Sequence, residues 1–203
     1  MSILLARHGE TPSNAARVLQ MPDTPLSERG LVQAERLANR LAGLGVAAIL
    51  TSDYARARMT AERIQAATGA PLEEWPELRE RHFGDLRGRP YAELGFDPFA
   101  PDYAPPGGES WDTFHARVAG AWPRILARAR GLRGNLAVVT HGLVCRAVAL
   151  REVGLGGLEE PPGWANTSLT IVASDPPPAL ELLNCVAHLD ELEAASSVRG
   201  GRA

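Results

Sequence analysis

Residues 3–14 read Ile-Leu-Leu-Ala-Arg-His-Gly-Glu-Thr-Pro-Ser-Asn. Ile3 to Ala6 is a short apolar run, the pattern of a strand buried on both faces. It stops on Arg7, His8 and Gly9, which a strand interior would not choose. A cation and an imidazole at the carboxyl end of a buried strand sit where open α/β sheets keep their ligand crevice. Gly9 lets the backbone turn sharply and approach whatever His8 touches.

A second segment repeats the design. Leu136 to Val139 is again a buried-strand run, and it ends in Thr140-His141-Gly142. A third strand, Val46 to Leu50, ends at Thr51-Ser52, and a helical pattern carrying Arg56 follows at once. Neighbouring parallel strands bring His8, His141 and Arg56 around one pocket. Such a pocket is strongly cationic, contains a nucleophile and suits a phosphate. Arginine fits that task because its fork donates two parallel hydrogen bonds, so Arg7 and Arg56 are the expected phosphate clamps. Arg58 lies two positions on and points about 200° around the helix, which leaves it to the surface.

Composition narrows the alternatives. The 203 residues suit one domain with a substantial core, and no apolar run reaches transmembrane length. A functional strand starting at residue 3 leaves no room for a signal peptide, which makes the cytoplasm the expected compartment. The two cysteines, Cys145 and Cys185, suggest no disulfide framework. A net charge of −3 gives no reason to expect nucleic acid, and no membrane partner is expected. Lysine is absent, which excludes Schiff-base chemistry and a Walker A lysine. It also makes arginine the background cation, so only arginines at strand or helix ends carry functional weight.

The remaining pattern gives alternating elements. Leu31, Ala34, Leu37, Ala38, Leu41 and Leu44 predict a helix from about residue 28, with Ser27 as N-cap. The helix after strand 46–52 runs to about Thr68, with Ala57, Ala61, Ile64 and Ala67 inward. Leu72 to Trp75 reads as a short edge strand. Residues 83–109 are rich in Gly, Pro and aromatics, and their length favours a lid over the pocket. A helix over 110–130 should kink at Pro123. Strand 135–140, helix 143–152, a strand from Trp164 to Ala173 and a last strand from Leu180 to Ala187 follow.

Two motifs are decoys. Cys145 and Arg151 have the spacing of cysteine phosphatases, but the intervening Arg-Ala-Val-Ala-Leu is helical and cannot cradle an anion. His8-Gly9-Glu10 has the His-x-Glu spacing of zinc deaminases, with no Pro-Cys-x-x-Cys after it. The histidines lack paired zinc spacing, so no metal is expected.

Arg7-His8-Gly9-Glu10-Thr11 with Asn14 resembles the motif of the histidine phosphatase, or phosphoglycerate mutase-like, superfamily. Pro25-Leu26-Ser27-Glu28-Arg29-Gly30, the stretch Thr51 to Ala57, Leu78 to Gly84 and Thr140-His141-Gly142 resemble its further landmarks, in family order. The resemblance implies an α/β three-layer sandwich, a mostly parallel central sheet flanked by helices. It implies one domain over 1–190, with 83–109 as a lid-like insertion and 191–203 as a loose tail.

It also implies chemistry. His8 would attack phosphorus and form a phosphohistidine, its other ring nitrogen held by an acceptor such as a backbone carbonyl near Gly9. His141 would stabilise charge beside it. Carboxylate chemistry alone leaves Glu73, Glu74, Glu77, Glu80 and Asp85 open as the proton donor, and the resemblance selects Glu80. Asn14, Gln20 and Gly142 are further substrate-binding candidates, although Leu19-Gln20-Met21 departs from the Gln-Gly pair of many relatives. Asn166 and Thr167 are read as structural. The expected activity is metal-independent and cofactor-free hydrolysis of a small phosphorylated metabolite, with a homodimer as the candidate assembly. A cofactor-dependent phosphoglycerate-type mutase is the runner-up, and a non-catalytic phosphate-binding protein the third reading.

Overall fold

The structure, a computed structural model, describes residues 1–190. The tail expected over 191–203 lies outside the described residues. Six strands form one sheet: β1 (Ser2–Arg7), β2 (Val46–Thr51), β3 (Leu72–Glu74), β4 (Asn135–Thr140), β5 (Leu169–Ala173) and β6 (Ala179–Cys185). Their spatial order is β3-β2-β4-β1-β5-β6. The first four run parallel, while β5 is antiparallel to β1 and β6 to β5. The helices are α1 (Pro12–Ala15), α2 (Glu28–Ala42), α3 (Ala55–Thr68), α4 (Trp111–Arg130) and α5 (Gly142–Ala147).

Side chains of period two decide the layering. On β1, Ile3 and Leu5 join Leu136 and Val138 of β4 in a core with Phe114, Val118 and Trp122 of α4 and Val144 of α5. Leu4 and Ala6 join Ala137 and Val139 on the other face, against Leu37 and Leu41 of α2 and Ala57, Ala61 and Ile64 of α3. Both faces of the central strands are therefore dry, and the result is a three-layer α/β sandwich. Each fully buried leucine of these clusters contributes about 2 kcal/mol of transfer free energy.

Local signals set the helix starts. Ser27 and Ser110 cap α2 and α4, their hydroxyls accepting from the N–H groups of Gly30 and Thr113. Helix α4 continues as one element through Pro123, which sits on its exposed side.

Three expectations are corrected. Ala67 is exposed, because ten residues beyond Ala57 the helical face has rotated by about 80°. The helix expected over 143–152 is α-helical only to Ala147 and then widens to π-helical turns over Val148–Val153. The strand expected from Trp164 begins only at Leu169. The loop before it is drawn toward β1: the Trp164 carbonyl accepts from Arg7 Nη1, Asn166 Nδ2 donates to the His8 carbonyl at 3.0 Å, and Thr167 is left-handed at φ 55°.

Residues 83–109 leave and rejoin the body at one place. Asp85 N–H donates to the Pro106 carbonyl at 3.0 Å and Glu109 N–H to the His82 carbonyl at 2.8 Å. Gly84 has φ 51°, and a Cβ there would overlap the Pro106 carbonyl, so only glycine fits. The segment is thus closed at its ends. Its Phe83, Leu86 and Leu94 form a small apolar cluster with Leu19, and its backbone is bonded to residues 17 and 19.

Candidate active site

Strand register brings the two histidines together. Arg7 is opposite Thr140 in the β1–β4 ladder, so the next residues are His8 and His141. The His8 N–H donates to the Thr140 carbonyl at 2.9 Å, and the imidazole rings meet edge-on with centroids 5.2 Å apart. Strand β2, on the other side of β4, ends at Thr51, and the Oγ of the next residue, Ser52, lies 2.9 Å from His141 Nε2. It then delivers Arg56 at the start of α3.

The tautomer of His8 follows from its partners. Arg56 Nε lies 3.3 Å from His8 Nε2 and, being a guanidinium, must donate. Nε2 therefore presents its lone pair, and the ring proton sits on Nδ1, which donates to the Gly9 carbonyl at 2.7 Å. Burial, then Arg56, then Arg7 hold the His8 pKa well below the ordinary histidine value. His141 is depressed in the same way, by burial first and Arg56 next. Both rings are neutral at pH 7.

Gly9 is required for a different reason from the one its position suggests. A Cβ there would stand 2.6 Å from the Gly30 carbonyl oxygen, so the close approach is to α2. Its N–H donates to Thr60 Oγ1 at 3.1 Å, which ties the turn to α3.

A cavity of about 520 Å³ opens over these strand ends. Of the expected residues it is lined by Arg7, His8, Asn14, Gln20, Arg56, Glu80 and Gly142. His141 is fully buried, packed edge-on against His8, and adds no surface to the lining. Gln20 Oε1 accepts from Thr11 Oγ1 at 2.8 Å, which orients its amide. Asn14 Oδ1 accepts from Asn166 at 3.2 Å, so Asn166 braces the loop instead of facing the cavity. Arg58 is exposed and pairs with Glu62 and Glu74.

Five arginines line the cavity, against Glu80 as the acid. The Glu80 carboxylate accepts from two backbone N–H groups, Arg81 at 3.0 Å and Leu143 at 3.2 Å. Burial raises its pKa above the ordinary carboxylate value and outweighs these bonds and the attraction of Arg56 and Arg7. Desolvation also brings the Arg56 pKa down to about 10, still charged at neutral pH. Among the described residues, three buried polar atoms of this site have no protein partner: Arg7 Nε, His141 Nδ1 and Trp164 Nε1. Cavity shape, charge and these unpaired atoms suit an anion with three equatorial oxygens.

Sequence reasoning missed Tyr54, Ser52, Arg87 and Trp164. The Tyr54 ring packs edge-on against His141 at 5.4 Å and carries the Arg56 guanidinium at 5.1 Å from its centroid. Its hydroxyl accepts from Arg87 Nη2 at 2.5 Å. Ser52 and Tyr54 stood inside a quoted motif, so a signal existed. Trp164 acts through its carbonyl, and no side-chain pattern reports that. Cys145 is buried and its thiol pKa is pushed up, in keeping with packing. Among the described residues no helix is long and apolar enough to cross a membrane.

The sequence model of the histidine phosphatase superfamily (branch 1) matches residues 3–185. A metal-independent phosphoserine phosphatase of Arabidopsis thaliana is 39% identical over 162 residues, 73% of this chain and 67% of its own. A probable phosphoglycerate mutase of Cronobacter sakazakii is 34% identical over 170 residues, 79% of this chain and 78% of its own. Among solved structures, a mycobacterial glucosyl-3-phosphoglycerate phosphatase complexed with VO3 superposes with TM-score 0.77 at 28% identity, over 91% of this chain and 99% of that one.

Proposed function

The chain belongs to the histidine phosphatase superfamily, whose relatives here are phosphatases and mutases, and on that premise we propose that it is a metal-independent phosphomonoester hydrolase of small phosphorylated metabolites. The observation that carries this reading is the His8 ring: Nδ1–H on the Gly9 carbonyl, and Nε2 turned to the cavity beside Arg56. Nε2 attacks phosphorus and the ester P–O bond breaks. Arg7 and Arg56 neutralise the equatorial oxygens, where most of the catalysis of phosphoryl transfer lies. Glu80, whose pKa burial raises and so shifts toward the acid form, gives its proton to the leaving oxygen. Water then attacks the phosphohistidine, Glu80 takes a proton from it, the N–P bond breaks and phosphate leaves. His141 packs edge-on against the neutral His8 ring, and its Nδ1, which has no protein partner, is available to the transferring group.

Hydrolysis is favoured over mutase action by the walls beyond Glu80. Leu19, Phe83, Tyr91, Phe99 and Leu143 line them. Arg81, also there, spends its donors on the carbonyls of Glu109, Pro98 and Tyr103. This suits a leaving group with apolar surface better than a phosphoglycerate.

The test is hydrolysis of 4-nitrophenyl phosphate in EDTA by wild type and His8→Ala. The expected result is turnover in the wild type and a loss of about four orders of magnitude in the variant. Wild-type turnover surviving in His8→Ala would sink the phosphohistidine route. Absence of hydrolysis together with conversion of 3-phosphoglycerate, primed by 2,3-bisphosphoglycerate, would establish the mutase.

A further inference from the structure

Glu80 lies on an irregular stretch between β3 and the loop 83–109, and both partners of its carboxylate are backbone N–H groups. Its orientation is therefore set by where the backbone at 80–81 stands relative to the start of α5. One side chain grips that backbone from outside the main cavity. Arg117, on α4, sends Nη1 to the carbonyls of Glu77 at 2.8 Å and Arg79 at 2.9 Å, and Nη2 to that of Glu80 at 3.5 Å. The same guanidinium holds Glu109 as a fork: Nε to Oε1 at 2.8 Å and Nη2 to Oε2 at 2.7 Å. Glu109 Oε2 in turn accepts the His82 N–H at 2.8 Å. The pair thus ties the chain on both sides of Glu80, at 77–80 and at 82.

This geometry differs from an ordinary surface ion pair. The two side chains are only 20% and 17% exposed. The bond is bidentate and charge-assisted, which fixes direction as well as distance. It also joins three parts of the fold: α4, the end of the loop 83–109, and the Glu80 stretch. Glu109 itself stands where the loop rejoins the body.

We propose that Arg117 and Glu109 are positioning residues for Glu80: they set where its carboxylate meets the leaving oxygen. Neither touches the substrate, and the proposal rests on Glu80 being the proton donor of a phosphatase. Misplacing a catalytic group by about 1 Å can cost about a hundredfold in rate, so the effect is open to kinetics.

The test separates positioning from general support through the leaving group. A 2,4-dinitrophenyl leaving group needs no proton, whereas phenyl phosphate does. We would measure kcat/KM, which reports the phosphorylation half-reaction, for wild type, Arg117→Met, Glu109→Gln and Glu80→Gln. The expected result is a loss of about tenfold or more on phenyl phosphate and less than about threefold on 2,4-dinitrophenyl phosphate, for Arg117→Met and Glu109→Gln alike. In the Glu80→Gln background Arg117→Met should add almost nothing, because both changes remove one function. Equal losses on both esters, or full additivity with Glu80→Gln, would overturn the proposal and leave the phosphatase reading standing. If Arg117→Met does not fold, Glu109→Gln carries the same comparison. A wild type inactive on both esters would instead remove the phosphatase reading, and this inference with it.

Discussion

At one end of the cavity, Arg7 and His8 hang from the last turn of a buried parallel strand, and Arg56 from the first turn of the helix after another. At the other end, Glu80 and the loop 83–109 lie outside the strands of the sheet. The first end is positioned by ladder register: Arg7 opposite Thr140 and Ser52 N–H on the Val139 carbonyl. The second is positioned by arginines that end on backbone carbonyls, Arg81 inside the loop and Arg117 beneath it. A sheet fixes its ends through many weak bonds shared among strands. The loop adds a few strong, charge-assisted ones to its apolar cluster and its backbone bonds with residues 17 and 19. The cationic end should therefore answer mutation through phosphate chemistry alone, and the Glu80 end through leaving-group chemistry and pH.

The largest expected effect that tests this contrast is at the cationic end. Arg56→Ala should lower kcat/KM by about 10³–10⁵, with the same factor for good and poor leaving groups. Steady-state kinetics on aryl phosphates of graded leaving-group acidity would read it. A strong dependence on the leaving group would mean that the two ends are not separate in function.

Next is Glu80→Gln, expected to cost about 10²–10⁴ with phenyl phosphate and far less with an activated ester. It should also change the pH profile. His8 acts unprotonated and its pKa is depressed, so activity falls only on the acid side, below the ordinary histidine value of 6.5. Glu80 acts protonated and its pKa is raised above 4.5, so activity falls on the alkaline side of that shifted value. Wild-type kcat/KM should be bell-shaped, and Glu80→Gln should keep the acid limb and lose the alkaline one. Following both proteins on one substrate cancels the ester's own ionisation. An alkaline limb that persists in Glu80→Gln would assign the proton donor elsewhere.

The smallest effect belongs to the loop's inner wall. Phe99 packs edge-on against Phe83 at 5.5 Å and Tyr91 at 5.7 Å. Phe99→Ala removes contacts of about 0.5–1.5 kcal/mol each and should raise KM for aryl phosphates about threefold to tenfold, with little change for a small alkyl phosphate. Equal changes for both substrates would mean that Phe99 holds the loop and does not meet the leaving group.

The legibility of the sequence follows the same division. Ile3 to Gly9 and Leu136 to Gly142 announce themselves because a buried strand needs an unbroken apolar run, and any polar residue at its end must have a reason. Helices α2 and α3 are readable from period and caps. The strand expected at Trp164 begins five residues late because that stretch is held by side-chain bonds, Trp164 to Arg7, Asn166 to the His8 carbonyl and Ala165 to Asn184, and forms no ladder. The choice of Glu80 among five nearby acids came from family likeness, since a carboxylate's neighbours are not written beside it.

By itself, then, the sequence determined the buried strands, the helices around them and the cluster of Arg7, His8, Arg56 and His141, because alternation and local capping are short-range physics. The tertiary structure alone decided that His8 presents Nε2, that His141 packs edge-on against it with Nδ1 unpaired, and that Arg117 and Glu109 hold the backbone of Glu80. Those outcomes depend on hydrogen bonds across long sequence separations, often to backbone carbonyls that every residue carries alike.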